Sequence, residues 1–298
     1  MRLRLGQSFY EAELSHIDLQ QTKLDGGDFT AAYLRGANLS AASCRDTNFS
    51  EATLMFATLT GTELIRANLA YAMLNSASLE RANLREAKAE NAKFYGATLH
   101  NAEAYAAVLK RVDFREAKGE NTNFCRANLE AANLGAATFL NSNFSGANLR
   151  QASLEAANLQ GTIWQQANLE KANLSRACIT RADFTGADLI GVNLRAAEIE
   201  TVILRQADLN RASLQNTQIK SSDLTQASLF SASLEGSILT QVSLRNADLR
   251  DANVEDTVWD DVDLTECTVA GATFTNAEGF TEDQKLWLRN NGALNVPR

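Results

Sequence analysis

The chain has 298 residues and a formal net charge of −8, from 28 basic and 36 acidic side chains. That balance argues against nonspecific nucleic-acid binding through a basic face. The four cysteines, Cys44, Cys125, Cys178 and Cys267, make neither a CxxC pair nor a disulfide framework, and read as reduced thiols of a cytoplasmic protein.

The opening residues, Met1 to Ser8, carry charge but no apolar core, so a secretory leader is not expected there. No later run approaches the roughly 18 apolar residues of a membrane span. From Phe9 to Phe274, Leu or another large apolar residue takes nearly every position ending in 4 or 9, without insertion or deletion. Two residues before each stands a small one, such as Ala12, Ala32, Ala37, Ala67 or Ala127. The residue between them is usually Asn, Asp, Ser or Thr. Ala147-Asn148-Leu149, Ala152-Ser153-Leu154 and Ala157-Asn158-Leu159 give the rule in one stretch.

A period of five excludes an α-helix, because five residues advance a helix by about 500° and the Leu stripe would wander around it. In extended chain, positions two apart point the same way. Ala and Leu then face inward, the polar residue between them faces out, and the next two residues turn the chain. Each pentapeptide is one short side and one corner. The spacing of inward aromatics sets the number of sides. Phe9/Phe29, Phe29/Phe49, Phe94/Phe114, Phe124/Phe144 and Trp164/Phe184 are all 20 apart, and Ile179, Ile199 and Ile219 form a column at the same interval. Four sides per coil follow.

Tandem Ala-(Asp/Asn)-Leu-x-x units over about nine-tenths of the chain resemble the pentapeptide-repeat protein family. The resemblance implies an all-β fold, a right-handed four-sided parallel β-helix of about 13 coils, and a bacterial source, with cyanobacteria as the suggested lineage. The organisation expected is an N-terminal cap over residues 1–8, the β-helix over 9–278, and a capping helix with tail over 279–298. The last segment has its own signals. The repeat stops at Gly279, Thr281-Glu282-Asp283-Gln284 is a capping box, and Gly292 is a helix stop. The helix predicted through Leu286, Trp287 and Leu288 to about Asn291 would lay its apolar side chains on the last coil. The N-terminal cap is a thin cover, and end-to-end homodimerisation through that end is an expectation.

One region departs from the inward rule. Ala89, Ala104 and Gly119 replace the large residue within two related segments, REAKAENAKF (85–94) and REAKGENTNF (115–124). Local repacking around Phe94, Phe114 and Phe124 is the first explanation, and a thinned, bendable waist is the second.

No catalytic constellation is present to read. His16 and His100 fall on different faces, and no HExxH, GxSxG, Walker or dinucleotide-binding pattern occurs. Asp251 to Asp256 begins like a calcium loop, but Asp256 stands where the sharp turn needs Gly and Val262 where the bidentate Glu belongs. Neither a cofactor nor a metal is expected, and the chain reads as non-enzymatic.

Two surfaces remain. Tyr33, Met55, Phe56, Tyr71, Met73 and Tyr95 fall on or beside one face in successive coils, none in an inward slot, with Arg35, Lys93 and Arg115 as a basic rim. Gathered aromatics and methionines favour a partner surface. The second surface is acidic. Residues 181–298 hold 10 basic and 18 acidic side chains, and Asp248 to Glu266 alone has eight acids and one arginine. Asp188, Asp208 and Asp248 continue a polar ladder on one face, and Asp183, Asp223 and Asp263 lie on the next. The primary reading is a scaffold or regulatory protein that binds a protein partner of unknown identity, without direct nucleic-acid or membrane contact. The alternative is a DNA mimic that binds a type II topoisomerase through the acidic half, as the resemblance implies for some members.

Overall fold

In the computed structural model residues 8–298 are described, and they fall into two compact units that divide between Ser153 and Leu154. The expected cap over residues 1–8 lies, except for Ser8, outside the described residues. Within each unit the chain winds as a parallel β-solenoid with a twenty-residue register. Successive bridges such as Glu13 with Tyr33, Tyr33 with Thr53 and Thr53 with Met73 are all parallel and 20 apart. The expected figure of about 13 coils gives way to a count by unit, with about seven turns in the first.

Most sides are so short that a single residue is bridged on each. Longer pairing appears in only a few places. In the first unit β1 (Lys118–Glu120) pairs β2 (Thr138–Leu140). In the second, β3 (Glu198–Glu200), β4 (Gln218–Lys220), β5 (Ile238–Ser243) and β6 (Val258–Asp263) form one parallel sheet in sequence order.

The backbone bonding repeats with the register. The Tyr33 N–H donates to the Ala12 carbonyl (3.0 Å), and the Leu14 N–H donates to the Tyr33 carbonyl (2.8 Å). Between sides, a four-residue turn closes each corner, as when the Ala12 N–H reaches the Phe9 carbonyl at 3.0 Å. The third residue of that turn takes positive φ, +52° at Glu11 and +55° at Ala31, the signature of a type II turn. Glycine fills this corner in some turns, for example Gly61 and Gly146, but Ala, Arg, Gln and Asn also occupy it.

The outward Asn or Asp has a structural task. In Asn38 the side-chain oxygen accepts the Ser40 N–H (3.0 Å), holding the following corner as an Asx-turn. The amide nitrogen then reaches along the face to the neighbouring turn, as Asn68 does to Asn48 (2.8 Å) and Asn193 to Asn173 (2.9 Å). Inside, the large and small residues are buried as expected, each Leu or Phe contributing on the order of 1.5–3 kcal/mol. Where Thr takes the small slot, its hydroxyl is satisfied. Thr47 donates to the Leu24 carbonyl (2.9 Å) and Thr122 to that of Leu99 (2.8 Å).

At Gly119 a neighbouring ring fills the space left by the small residue. Phe139 stands opposite Gly119, and Phe94, Phe114, Phe124, Phe139 and Phe144 form a continuous ring cluster with centroids 4.9 to 6.0 Å apart. The repacking explanation fits this core, with two rings, Phe139 and Phe144, beyond those expected.

The second unit ends in helix α1 (Glu282–Asn290), capped reciprocally by Thr281 and Gln284. It stops in a Schellman arrangement: the Gly292 N–H donates to the Arg289 carbonyl (3.2 Å) and the Ala293 N–H to that of Leu288 (3.0 Å). Of the three apolar residues expected on the last turn, Leu288 is buried, Trp287 is half-buried, and Leu286 is exposed. Beyond the helix the chain returns to the solenoid. Leu294 bridges Thr273, its N–H donating to Ala272 and its carbonyl accepting from Phe274. Sequence reading missed this returning strand, which is too short and too irregular to carry the pentapeptide pattern.

Candidate functional site

The apolar candidate residues all lie in the first unit. One outward column runs Glu13, Tyr33, Thr53, Met73, Lys93, Asp113, each bridged to the next. The column places Tyr33 and Met73 two turns apart, about 10 Å at the usual strand spacing. Met55 and Phe56 form the corner that follows this face, and Tyr95 occupies the same corner two turns later. Tyr71 sits on the corner that precedes it. Tyr33, Phe56, Tyr71 and Met73 are 50%, 51%, 60% and 38% exposed, while Met55 and Tyr95 are half-buried.

The corner geometry brings cations onto these rings. The Arg35 guanidinium lies 4.8 Å from the Phe56 ring centre, and that of Arg115 lies 5.8 Å from Tyr95. Arg115 also grips Asp113 through two bonds, at 2.9 and 2.8 Å, which hold the Asp113 carboxyl below the usual carboxylate range. A hydrogen bond with Glu116 raises the Tyr95 phenol above its ordinary value. The basic rim is therefore unequal: Arg115 is occupied by a carboxylate, whereas Arg35 stacks on a ring. Sequence reading missed Tyr10, which is exposed on the same corner as Tyr71, one position before it and three turns earlier. It also missed Tyr105, which is flanked by Arg85 at 5.2 Å and accepts a bond from Arg126 at 3.2 Å. The twenty-residue register, applied to corner positions as well as inward ones, was the available signal.

The acidic candidates lie in the second unit, on two adjacent columns. Each of the six accepts the N–H two residues on, from Thr185, Ile190, Asn210, Thr225, Arg250 and Thr265, for Asp183, Asp188, Asp208, Asp223, Asp248 and Asp263 respectively. They are corner-forming residues in the way Asn38 is. Several are also compensated by charge. Arg205 bonds Asp223 at 2.5 Å, Arg250 grips Asp248 at 2.9 and 2.7 Å, and Arg245 lies 3.6 Å from Asp263. Asp183 accepts from Gln165 at 2.7 Å. The Arg250 bonds push the Asp248 carboxyl down to about 2.

Other reactive side chains are structurally employed. His100 accepts the Glu120 N–H through Nδ1 (2.9 Å), and burial pushes the Cys44 thiol up and that of Cys267 to about 12. Among the described residues, no group of three His, Cys, Asp or Glu side chains is placed to hold a metal ion. No helix among them is long and apolar enough to cross a membrane.

Two solved structures of one protein share the fold. QnrB1, a plasmid-mediated fluoroquinolone resistance protein, is 20% identical in one trypsin-treated variant form, with a TM-score of 0.55 over 65% of this chain and 95% of that one. A second trypsin-treated variant of it gives 19% identity and 0.54, over 65% and 94%. HetL, a pentapeptide repeat protein involved in heterocyst differentiation regulation in the cyanobacterium Nostoc, is 28% identical over 87% of this chain and 90% of its own, with a TM-score of 0.31. Among curated proteins none matches significantly. The family model described as pentapeptide repeats matches eight times, at residues 12–43, 32–69, 62–101, 107–146, 127–163, 152–191, 187–226 and 227–258. With inward Leu, small partner, Asx corner and twenty-residue register repeated throughout both units, the chain belongs to the pentapeptide-repeat family.

Proposed function

We propose that this protein is a non-enzymatic interaction scaffold that holds a partner protein against the face carrying Tyr33 and Met73. One observation supports the reading above the others. Four large apolar side chains are exposed together on and beside a face whose remaining outward positions are polar, and Arg35 is stacked against one of them. Exposed rings held rigidly by a solenoid lose little entropy on binding, which is how aromatic residues come to dominate interfaces. A flat, regular face suits a protein partner better than a small molecule, which needs a concave site.

The test is affinity capture from a native lysate with the wild-type chain and a Tyr33→Ser, Phe56→Ser, Tyr71→Ser variant. The reading requires specific partners that the variant loses while its thermal midpoint stays within a few degrees. Partners retained in full by the variant would overturn it.

The second reading, mimicry of DNA toward a type II topoisomerase, has support from the fluoroquinolone-resistance role in the name of QnrB1. A mimic needs an unbroken negative stripe. Here Arg205, Arg245 and Arg250 interrupt the acidic columns, and corner bonding already employs all six aspartates. A gyrase supercoiling assay separates the two readings: protection or inhibition that is lost in an Asp188→Asn, Asp208→Asn variant favours mimicry.

A further inference from the structure

The last turn of the second unit is closed at some positions and open on the sides holding Val262–Leu264 and Cys267–Val269, whose partners twenty residues on fall in α1. The Trp259 N–H donates to the Glu278 carbonyl, Gly271 to Gly292, and Phe274 to Leu294, all at 2.9 Å. The side containing Val262, Asp263 and Leu264 is different. One and a half turns before position 283 of the register, on the opposite face, Asn253 shows the usual bond pair: its N–H donates to the small residue Ala232 (2.9 Å), and its carbonyl accepts from the large residue Leu234 (2.7 Å). The residue due to do this for Val262 and Leu264 is Asp283, twenty positions on, and Asp283 lies in α1. Among the described residues no hydrogen bond reaches the Val262 carbonyl from beyond this turn, and none leaves the Leu264 or Glu266 N–H.

A cleft of about 450 Å³ stands before this open edge. Val262 and Leu264 form its wall on the solenoid side, Asp283 and Trp287 its wall on the helix side, and Asp263 and Glu266 belong to the same lining. None of its lining residues is basic; Arg245 lies 3.6 Å from Asp263, and Lys285 of α1 is paired with Glu282 at 2.8 Å.

We propose that this cleft takes an extended segment of a partner protein carrying a lysine or arginine. One residue of that segment would donate its N–H to Val262 and accept from Leu264, completing the bridge that the chain leaves unmade when it enters α1. The carbonyl two residues on would accept from Glu266, as the Arg35 carbonyl accepts from His16 in the first unit. Strand addition of this kind draws affinity from the backbone and specificity from the side chain. In the solenoid, the side chain of a bridged residue lies beside that of its predecessor in the column, so a basic one would meet Asp263, with Glu266 and Asp283 nearby. The Trp287 indole offers a cation a further favourable surface. This site lies in a different unit from the aromatic face and does not depend on it.

The experiment uses the full chain, labelled with ¹⁵N, and the peptide acetyl-Thr-Ala-Lys-Leu-Ser-amide. The expected result is saturable shifting of the Leu264 and Glu266 amide resonances. Replacing the peptide lysine by glutamate, or methylating its backbone nitrogen, should each weaken binding about tenfold or more. A Glu266→Gln, Asp283→Asn variant should weaken it severalfold, with an unchanged thermal midpoint. Equal binding of the glutamate peptide would remove the charge argument, and equal binding of the methylated peptide would remove the bridge. Absence of any shift at about 5 mM peptide, weaker than ordinary recognition, would overturn the site altogether. So would concentration-dependent dimerisation that shifts the same amides without peptide, since a second copy would then be the occupant.

Discussion

Gly119 and Phe139 share one space. They are register partners in successive turns, and a Cβ added at Gly119 would stand 2.4 Å from Phe139 Cδ1 and 2.5 Å from Thr122 Oγ1. Neither neighbour yields easily, because Phe139 is packed edge-on against Phe124 and Thr122 is bonded to the Leu99 carbonyl. Gly119→Ala is expected to cost about 1–3 kcal/mol by overpacking. Phe139→Leu should cost a comparable amount through lost packing. In the double variant the two costs should add to less than their sum by about 1 kcal/mol, since the smaller side chain makes room for the new methyl. Urea midpoints of the four proteins measure this; strict additivity would mean that the two residues do not compete.

Corner strain is separable from crowding at Gly61, where φ is +65° and nothing lies within 4 Å of an added Cβ. Gly61→Val should therefore cost about 1–2 kcal/mol from left-handed backbone alone. Gly61→Asn should cost much less, since Asn tolerates this region. Comparable losses for Val and Asn in thermal unfolding would show that the corner conformation relaxes.

The period of five and the twenty-residue register were legible because both come from buried side chains, whose size and spacing appear directly in the letters. The corner conformation was not legible. Residues such as Ala131, Arg126 and Gln151 take positive φ there, so glycine does not mark the position. The double role of Asn38 or Asp188 was hidden for a related reason: pointing outward and holding the next corner require the same residue. The placement of Tyr33, Phe56, Tyr71 and Met73 followed from the register. The ring–guanidinium contacts did not, because they depend on side-chain reach between corners of adjacent turns. Three of the acid–base pairs share a spacing that emerges only in three dimensions. Arg45 with Glu63, Arg205 with Asp223 and Arg245 with Asp263 are each 18 apart, from a corner to the face beside it one turn on.

Asp248 gives the second unit an acid-sensitive link. Bonds from Arg250 lower its carboxyl to about 2, opposed by burial and helped by the Thr268 hydroxyl. A carboxyl depressed in the folded state stabilises above its unfolded value, about 3.9, and that contribution is lost as pH falls from there toward 2. Because Arg250 is largely in solvent, the contribution is expected to be about 1 kcal/mol rather than the full amount implied by the shift. Asp248→Asn should lower stability at pH 7 and lose most of its deficit at pH 2. A deficit of the same size at both pH values would assign the effect to packing.

At the end of the second unit, Thr281→Ala removes the hydroxyl that accepts the Gln284 N–H at 3.2 Å and breaks the reciprocal cap. The expected loss is about 1 kcal/mol for α1. Amide exchange should quicken over Glu282–Asn290, with little change in the turns of the first unit. Leu288, the buried residue of the helix, should be more sensitive, with Leu288→Ala costing about 2–5 kcal/mol. Uniform exchange across the chain in the Thr281 variant would mean that the helix does not open by itself.

The two related segments, 85–94 and 115–124, stand thirty residues apart, which is one and a half turns. Arg85 and Arg115 therefore occupy opposite corners, yet each meets a tyrosine: Arg85 reaches Tyr105 one turn on, and Arg115 reaches Tyr95 one turn back. Copying ten residues, or thirty, thus carries a cluster of side chains to the far side of the unit while leaving the inward pattern intact. Copying twenty would lengthen the same side. A single residue inserted within a side does neither, since with a period of five it moves every later inward Ala and Leu out of its slot unless a loop absorbs it. Duplication in whole pentapeptides redraws the surface while keeping the inward pattern, and the length of the step decides which neighbours a transplanted arginine will find.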